Sequence, residues 1–333
     1  MKMNKYLLAT GVILCTVGCK AQREFGTSLL QLKEIIELPG VSGRLDHMDI
    51  NLKSNIVYVA ALGNNTLEVV DLDKKKVIHS ITGLSEQHGV GYMPQTEEIF
   101  VANGGSGDCY FYDARSFKKA ATIQLGDNAD DVRCDSVEQK IYVGYGSGGI
   151  AVIDAKTHKK LADIKLPGHP ESFRIDRQLN LLFVNVPDAG IVGEVDLTLA
   201  RLIGEWPTNN AAANFAMALD TSANQVIVGY RHPSTLVFYN GKSGREISRY
   251  KMAGDADDLY FNTETSCVYT SNGDGFINIF RKQTLRGYEQ VANVATRNGA
   301  RTSLFAPKLR LLVVAARAAV GRSAALLLYR TGN

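Results

Sequence analysis

Short apolar runs recur along the chain, each entered from a polar turn. They lie at Asn55 to Ala60, Glu98 to Asn103, Lys140 to Tyr145, Leu181 to Val186, Gln225 to Tyr230, Ser266 to Ser271 and Leu309 to Ala315. Successive runs start about 42 residues apart. β-Branched and aromatic side chains fill them, with Gly, Asn and Asp at the borders, which predicts strands. A second strand ending near Asp follows each run, as in Leu67 to Asp71 and Ala151 to Asp154. A more polar strand comes next, as in Lys75 to Ile81 or Lys159 to Leu166, and a short segment such as His47 to Ile50 precedes the run. Four strands per unit, seven units long, predict an all-β fold: a seven-bladed β-propeller with four antiparallel strands per blade.

The seventh unit is one strand short. It offers Thr302 to Phe305, Leu309 to Ala315 and Ala324 to Tyr329. Leu32 to Leu38, ahead of the first blade, is spare, and we assign it as the outermost strand of the last blade. Closing the ring in this way removes an exposed edge. The expected organisation is a leader over 1–18, a linker over 19–31 and one propeller over 32–330. No Trp-Asp pair marks a WD40 repeat, and the single Trp206 does not suit eight-bladed quinoprotein propellers, whose blades dock through repeated tryptophans.

The leader reads as an export signal. Lys2 and Lys5 precede an apolar stretch from Tyr6 to Gly18, about 20 Å as a helix and too short to span a bilayer core. Thr16-Val17-Gly18-Cys19 resembles the bacterial lipobox, departing from it at Thr16, where Leu is preferred. That resemblance implies lipidation of Cys19 and a membrane partner through the lipid. Lys20 after the cysteine resembles the outer-membrane case of the enterobacterial sorting rule. An exported, outer-membrane lipoprotein, facing the periplasm or the surface, is therefore expected.

Formal net charge is +3, with 37 basic and 34 acidic residues. Lys2 and Lys5 would leave with the leader, so a mature chain carries 35 against 34 and has no global pull towards nucleic acid. The last stretch is locally basic: Arg297, Arg301, Lys308, Arg310, Arg317, Arg322 and Arg330 follow Gln290 without an acid among them. Beyond the leader stand Cys109, Cys134 and Cys267, too widely spaced for a zinc site, a haem attachment or a disulfide framework. We expect a monomer.

Candidate chemistry gathers where the seven inner strands converge on the axis. We align the units on the first apolar residue of the inner strand: Met48, Val90, Val132, Phe173, Met217, Leu259 and Leu304. Two places earlier lie Asp46, His88, Asp130, Glu171, Phe215, Asp257 and Thr302. One place earlier come His47, Gly89, Asp131, Ser172, Ala216, Asp258 and Ser303, while Asn214 and Arg301 stand three places back. The predicted ligand-binding set at the channel mouth is Asp46, His47, His88, Asp130, Asp131, Glu171, Asn214, Asp257 and Arg301. Crowded carboxylates need a cation, a basic side chain or protonation. Asp46, His88, Asp130, Glu171 and Asp257 form a candidate site for Ca, Mg, Mn or Zn. The competing reading is that these Asp and Asn residues cap turns through backbone N–H groups.

The Ile99-Phe100-Val101-Ala102-Asn103 and Val268-Tyr269-Thr270-Ser271-Asn272 segments resemble the Tyr-Val-Thr-Asn (YVTN) repeat of YncE-like propellers. The resemblance covers about residues 32 to 330. It implies the propeller fold and an exported binding role, and says little of chemistry, since similar-looking propellers include lactonases and lyases. Two function classes follow. The first is a module binding a small molecule, glycan or protein partner at one face of the ring. The second is a metal-dependent hydrolase or lyase, lactonase-like, working through the acids at the mouth. No catalytic nucleophile with its base can be named, so the binding module leads.

Overall fold

The computed structural model describes residues 29–283 and 287–332. The expected leader and Cys19 lie outside the described residues. Seven sheets of four antiparallel strands follow one another around an axis, as the repeat predicts. Their inner strands are Met48–Asn51, Gln87–Met93, Val132–Asp135, Phe173–Asp176, Ala212–Asp220, Ala256–Asn262 and Ser303–Ala306, defining blades one to seven. The spare strand runs from Leu30 to Leu38 and pairs antiparallel with Ala324–Thr331, so the seventh blade takes its outermost strand from the start of the propeller. Helix among the described residues is confined to short turns, such as Leu62–Asn64, Pro187–Ala189 and Pro307–Leu309.

The core is a ring of layers between blades. Seven apolar clusters form, each drawing on two adjacent blades; Tyr58 and Leu67 pack with Val90 and Ile99, for example, and Ile36 and Leu326 with Met48 and Val57. A second strand therefore has an apolar neighbour on both faces, and every residue of Ile56–Ala61 and Cys267–Asn272 is buried. Outer strands meet solvent and alternate, as in Arg201–Pro207.

Asp and Asn hold turns in blades one to six. Asp113 accepts from the Ser116 N–H at 2.6 Å and Asp154 from the Thr157 N–H at 2.6 Å, where the third strand turns into the outer one. Asp135 and Asp176 do the same after the inner strand, accepting from the Val137 and Gln178 N–H groups at 2.9 Å. The Asn closing the YVTN-like runs has a comparable task. Asn103 donates to the Asp108 carbonyl at 2.9 Å and Asn272 to the Phe276 carbonyl at 3.0 Å, tying the second strand to the start of the third.

Candidate functional site

The strand register corrects one step of the sequence alignment. Met48 pairs with Val59, Val132 with Val143 and Phe173 with Val184; the equivalent pair in blade seven is Ser303 with Val314. Blade seven puts a serine where the other blades put an apolar residue. Alignment on the first apolar residue therefore slips to Leu304. The true ring two places back is Asp46, His88, Asp130, Glu171, Phe215, Asp257 and Arg301, so Arg301 replaces Thr302. Bulges between Gln87 and Val90, Asn214 and Ala216, and Ala256 and Asp258 interrupt pairing at these positions in three blades. Such bulges re-aim side chains at the rim of a sheet.

At this ring, residues distant in sequence meet. His88 donates from Nδ1 to Asp46 Oδ2 at 2.9 Å and lies 3.7 Å from Asp130. His169, from the loop before blade four, donates from Nδ1 to the Gly146 carbonyl at 2.6 Å and turns Nε2 to Asp130 at 3.7 Å. Across the ring Asp257 sits between Arg231 at 2.7 Å and Arg301 at 3.1 Å, with Arg44 at 4.0 Å. Arg44 also reaches Asp46 at 3.0 Å, and Asp255 pairs with both Arg231 and Arg301. Arg231 covers the Phe215 ring at 3.7 Å. Basic side chains thus relieve the crowding of acids. Among the described residues no group of three or more His, Cys, Asp and Glu is arranged to hold a metal ion.

The remaining members of the predicted set lie elsewhere. Asn214 is fully buried in the wall between blades four and five, donating to the Ile191 carbonyl at 2.8 Å and to Asn185 at 3.3 Å. Asp131 accepts from the Phe173 N–H at 3.3 Å and pairs with Arg133. Asp258 accepts from the Ser303 N–H at 2.8 Å. These two acids staple one inner strand to the next. His47 lies 3.9 Å from Asp131, one tier inside the ring.

Burial and charge set the protonation of the ring. Burial, reinforced by the carboxylates of Asp130 and Asp257, pushes Glu171 up to about 8 against the pull of His169 and Arg231. Burial works against charge on His169 as well, but Asp130, the Gly146 carbonyl and Glu171 raise it to about 9. Burial also opposes ionisation of Asp130, yet His169, His88 and His47 together hold it down to about 2. At neutral pH the ring therefore holds an ionised Asp130 beside a charged His169, with Glu171 protonated.

Sequence reasoning placed none of Arg44, His169 and Arg231 at the ring. None of the three lies on the two-place step back from an inner strand. They enter from loops and from the end of Gln225–His232, a position the repeat does not mark.

Fold and site together define a seven-bladed propeller with an ionic ring at one end of its channel. No protein-family profile matches the chain, and no curated protein matches it. Solved structures do. A chain of the mitotic checkpoint complex superposes with a TM-score of 0.77 at 17% identity, covering 100% of this chain and 99% of that one. A chain of Kuenenia stuttgartiensis hydrazine synthase gives 0.76 at 15% identity over 88% of this chain and 99% of that one. In all 1759 chains match, so the likeness establishes the fold and leaves function to the site.

Proposed function

We propose that this chain is an exported, lipid-anchored propeller of the YncE-like kind, held at the outer membrane through Cys19. On this reading it binds a small polyhydroxylated ligand, a sugar or short glycan, at the channel mouth. One observation carries the binding site. The acids that cap turns or staple strands bond backbone N–H groups; those of the ring do not, and they keep oxygens to spare. Asp46 is 1% exposed, yet its Oδ1 has no hydrogen-bond partner among the described residues. Asp257 Oδ2 is buried near Arg301 without the alignment of a hydrogen bond. Glu171 makes no side-chain hydrogen bond to a described residue. Buried acceptors left open in a preformed ring are what a ligand rich in hydroxyl groups satisfies, and the arginines between them supply the complementary donors.

The test is calorimetric titration with mono- and oligosaccharides, using wild type, Asp257→Asn and Glu171→Gln. Binding that both variants weaken supports the reading; no binding by wild type overturns it. Calcium, magnesium, manganese and zinc belong in the same experiment, read by melting, because open carboxylate oxygens also suit a hard cation. An ion shift that Asp130→Asn removes would favour the second reading, a metal-dependent hydrolase or lyase. The opposed protonation of Asp130 and Glu171 favours it too, since such a split separates base from acid.

A further inference from the structure

A cavity of 260 Å³ lies on the channel axis, one tier in from the ring. Its lining includes Asp49, Arg133, Arg174 and Tyr260, each one place after the aligned residue of its inner strand, together with His47 and Asp258. The apolar residues Val90, Val132 and Leu304 complete the wall. Most polar groups here are already engaged. Asp49 accepts from the Tyr92 N–H at 2.7 Å and the Ile50 N–H at 2.8 Å, and Asp258 accepts from the Ser303 N–H at 2.8 Å. Tyr260 donates to the Ser303 carbonyl at 2.6 Å. Arg133 pairs with Asp131 and donates to the Phe173 carbonyl at 3.2 Å.

His47 makes no side-chain hydrogen bond to a described residue, and Arg174 is open along one edge. Its Nη1 donates to Ser172 Oγ and to the Phe173 carbonyl, both at 2.9 Å. Among the described residues its Nε and Nη2 find no hydrogen-bond partner, and no carboxylate stands within ion-pair distance. Burial and the neighbouring Arg133 hold this guanidinium down to about 10, against Asp131 and Asp258. A charged group drawn from water is costly unless it is paired. A guanidinium whose Nε and Nη2 edge is open in a cavity is therefore a built site for an anion.

We propose that this cavity binds a small organic monocarboxylate, gripped by Nε and Nη2 of Arg174. The open edge presents two parallel N–H donors, the geometry that matches a carboxylate. Asp49 and Asp258 in the same wall disfavour a dianion, and Val90, Val132 and Leu304 favour a carbon body. The volume equals about nine waters of bulk liquid, enough for a short aliphatic chain or a single ring. This site does not depend on the ligand proposed for the mouth.

The experiment titrates the full chain with straight-chain carboxylates from acetate to octanoate, with benzoate, and with inorganic phosphate and sulfate. Heat or a melting shift is read. Affinity should rise with chain length until the cavity is full and then fall. Arg174→Gln should weaken binding roughly tenfold to a hundredfold, as expected for a charged hydrogen-bonded pair. Leu304→Trp, which fills the cavity and leaves Arg174 intact, should weaken it as well. Arg174→Met should raise the melting midpoint of the ligand-free protein, because a half-buried guanidinium without a carboxylate partner is removed. Several results overturn the proposal: no carboxylate bound at tens of millimolar, phosphate or sulfate bound as well as any carboxylate, Arg174→Gln or Leu304→Trp binding like wild type, or Arg174→Met melting no higher than wild type.

Discussion

Glu171→Gln should stabilise this protein at high pH. Burial and two neighbouring carboxylates raise the Glu171 carboxyl from its ordinary 4.5 to about 8. The folded chain therefore holds this proton more tightly than the unfolded one. Its contribution is fully present below about pH 4.5 and is lost as pH rises through 8. A rise of that size sets an upper bound of about 5 kcal/mol. Asp130 and His169 titrate with Glu171, and re-pairing among them leaves about 2 kcal/mol for the observable. Unfolding roughly 300 residues of propeller carries about 0.6 kcal/mol per kelvin of entropy, so that energy moves the midpoint by about 3 °C. Gln keeps the shape and cannot ionise. The assay compares melting midpoints of wild type and variant at about pH 5 and about pH 9, taking the difference of differences so that other titrating groups cancel. The variant should gain about 3 °C on wild type between the two conditions. An equal offset at both pH values would falsify the view that a protonated Glu171 sits in the ring.

Wild type itself should lose stability as pH climbs from 6.5 to about 9, because His47 and His169 are both raised to about 9; denaturant midpoints at the two ends test this. Asp257→Ala removes the carboxylate shared by Arg231 and Arg301 and should cost about 3 kcal/mol, with Asp257→Asn milder. Equal melting of Asp257→Ala and wild type would contradict the ionic account of the ring. Ile36→Ala, in the closing strand at 1% exposure, should cost about 2 to 5 kcal/mol. Its neighbour Ile35→Ala, 44% exposed, should change the midpoint little; similar losses for both would refute the burial assigned to this strand.

The repeat was legible because each blade must bury both faces of its second strand. Ile56–Ala61 and Cys267–Asn272 therefore read as apolar runs that turn residues separate cleanly. The closing strand was legible by subtraction, since Leu32 to Leu38 had no other sheet to join; Leu30 and Gln31 extend it. Blade seven misled at two points. Ser303 occupies an apolar position, where it accepts from Ser271 Oγ at 2.7 Å, and this displaced the alignment by one. Pro307–Leu309 forms a turn with Arg310 left-handed behind it, so the second strand begins at Leu311 and not Leu309. Asn214 could not be separated from the mouth by sequence, because a bulge decides which way it faces. Arg133 and Arg174 were within reach. They stand two places beyond Asp131 and Ser172, and residues two apart share a face of a strand.

The same acidic side chain serves three ends in this fold, and its place along the inner strand decides which. At the far end of that strand, Asp135 and Asp176 meet a reversing chain whose N–H groups have no strand partner, so the acid caps a turn. One place before or after the aligned apolar residue, Asp49, Asp131 and Asp258 find an N–H of the next blade and become staples between sheets. Two places before that residue, the ring acids find no backbone N–H among the described residues. The acid must take a histidine, an arginine, a proton or a ligand. Asp46, Asp130, Glu171 and Asp257 use the first three among themselves and still leave oxygens open. The channel interior shows the inverse case, a guanidinium with acids nearby whose lone pairs the backbone has already taken. Open acceptors at the mouth and open donors inside are what remain once the backbone has been satisfied. They mark where the chemistry of this propeller should be sought.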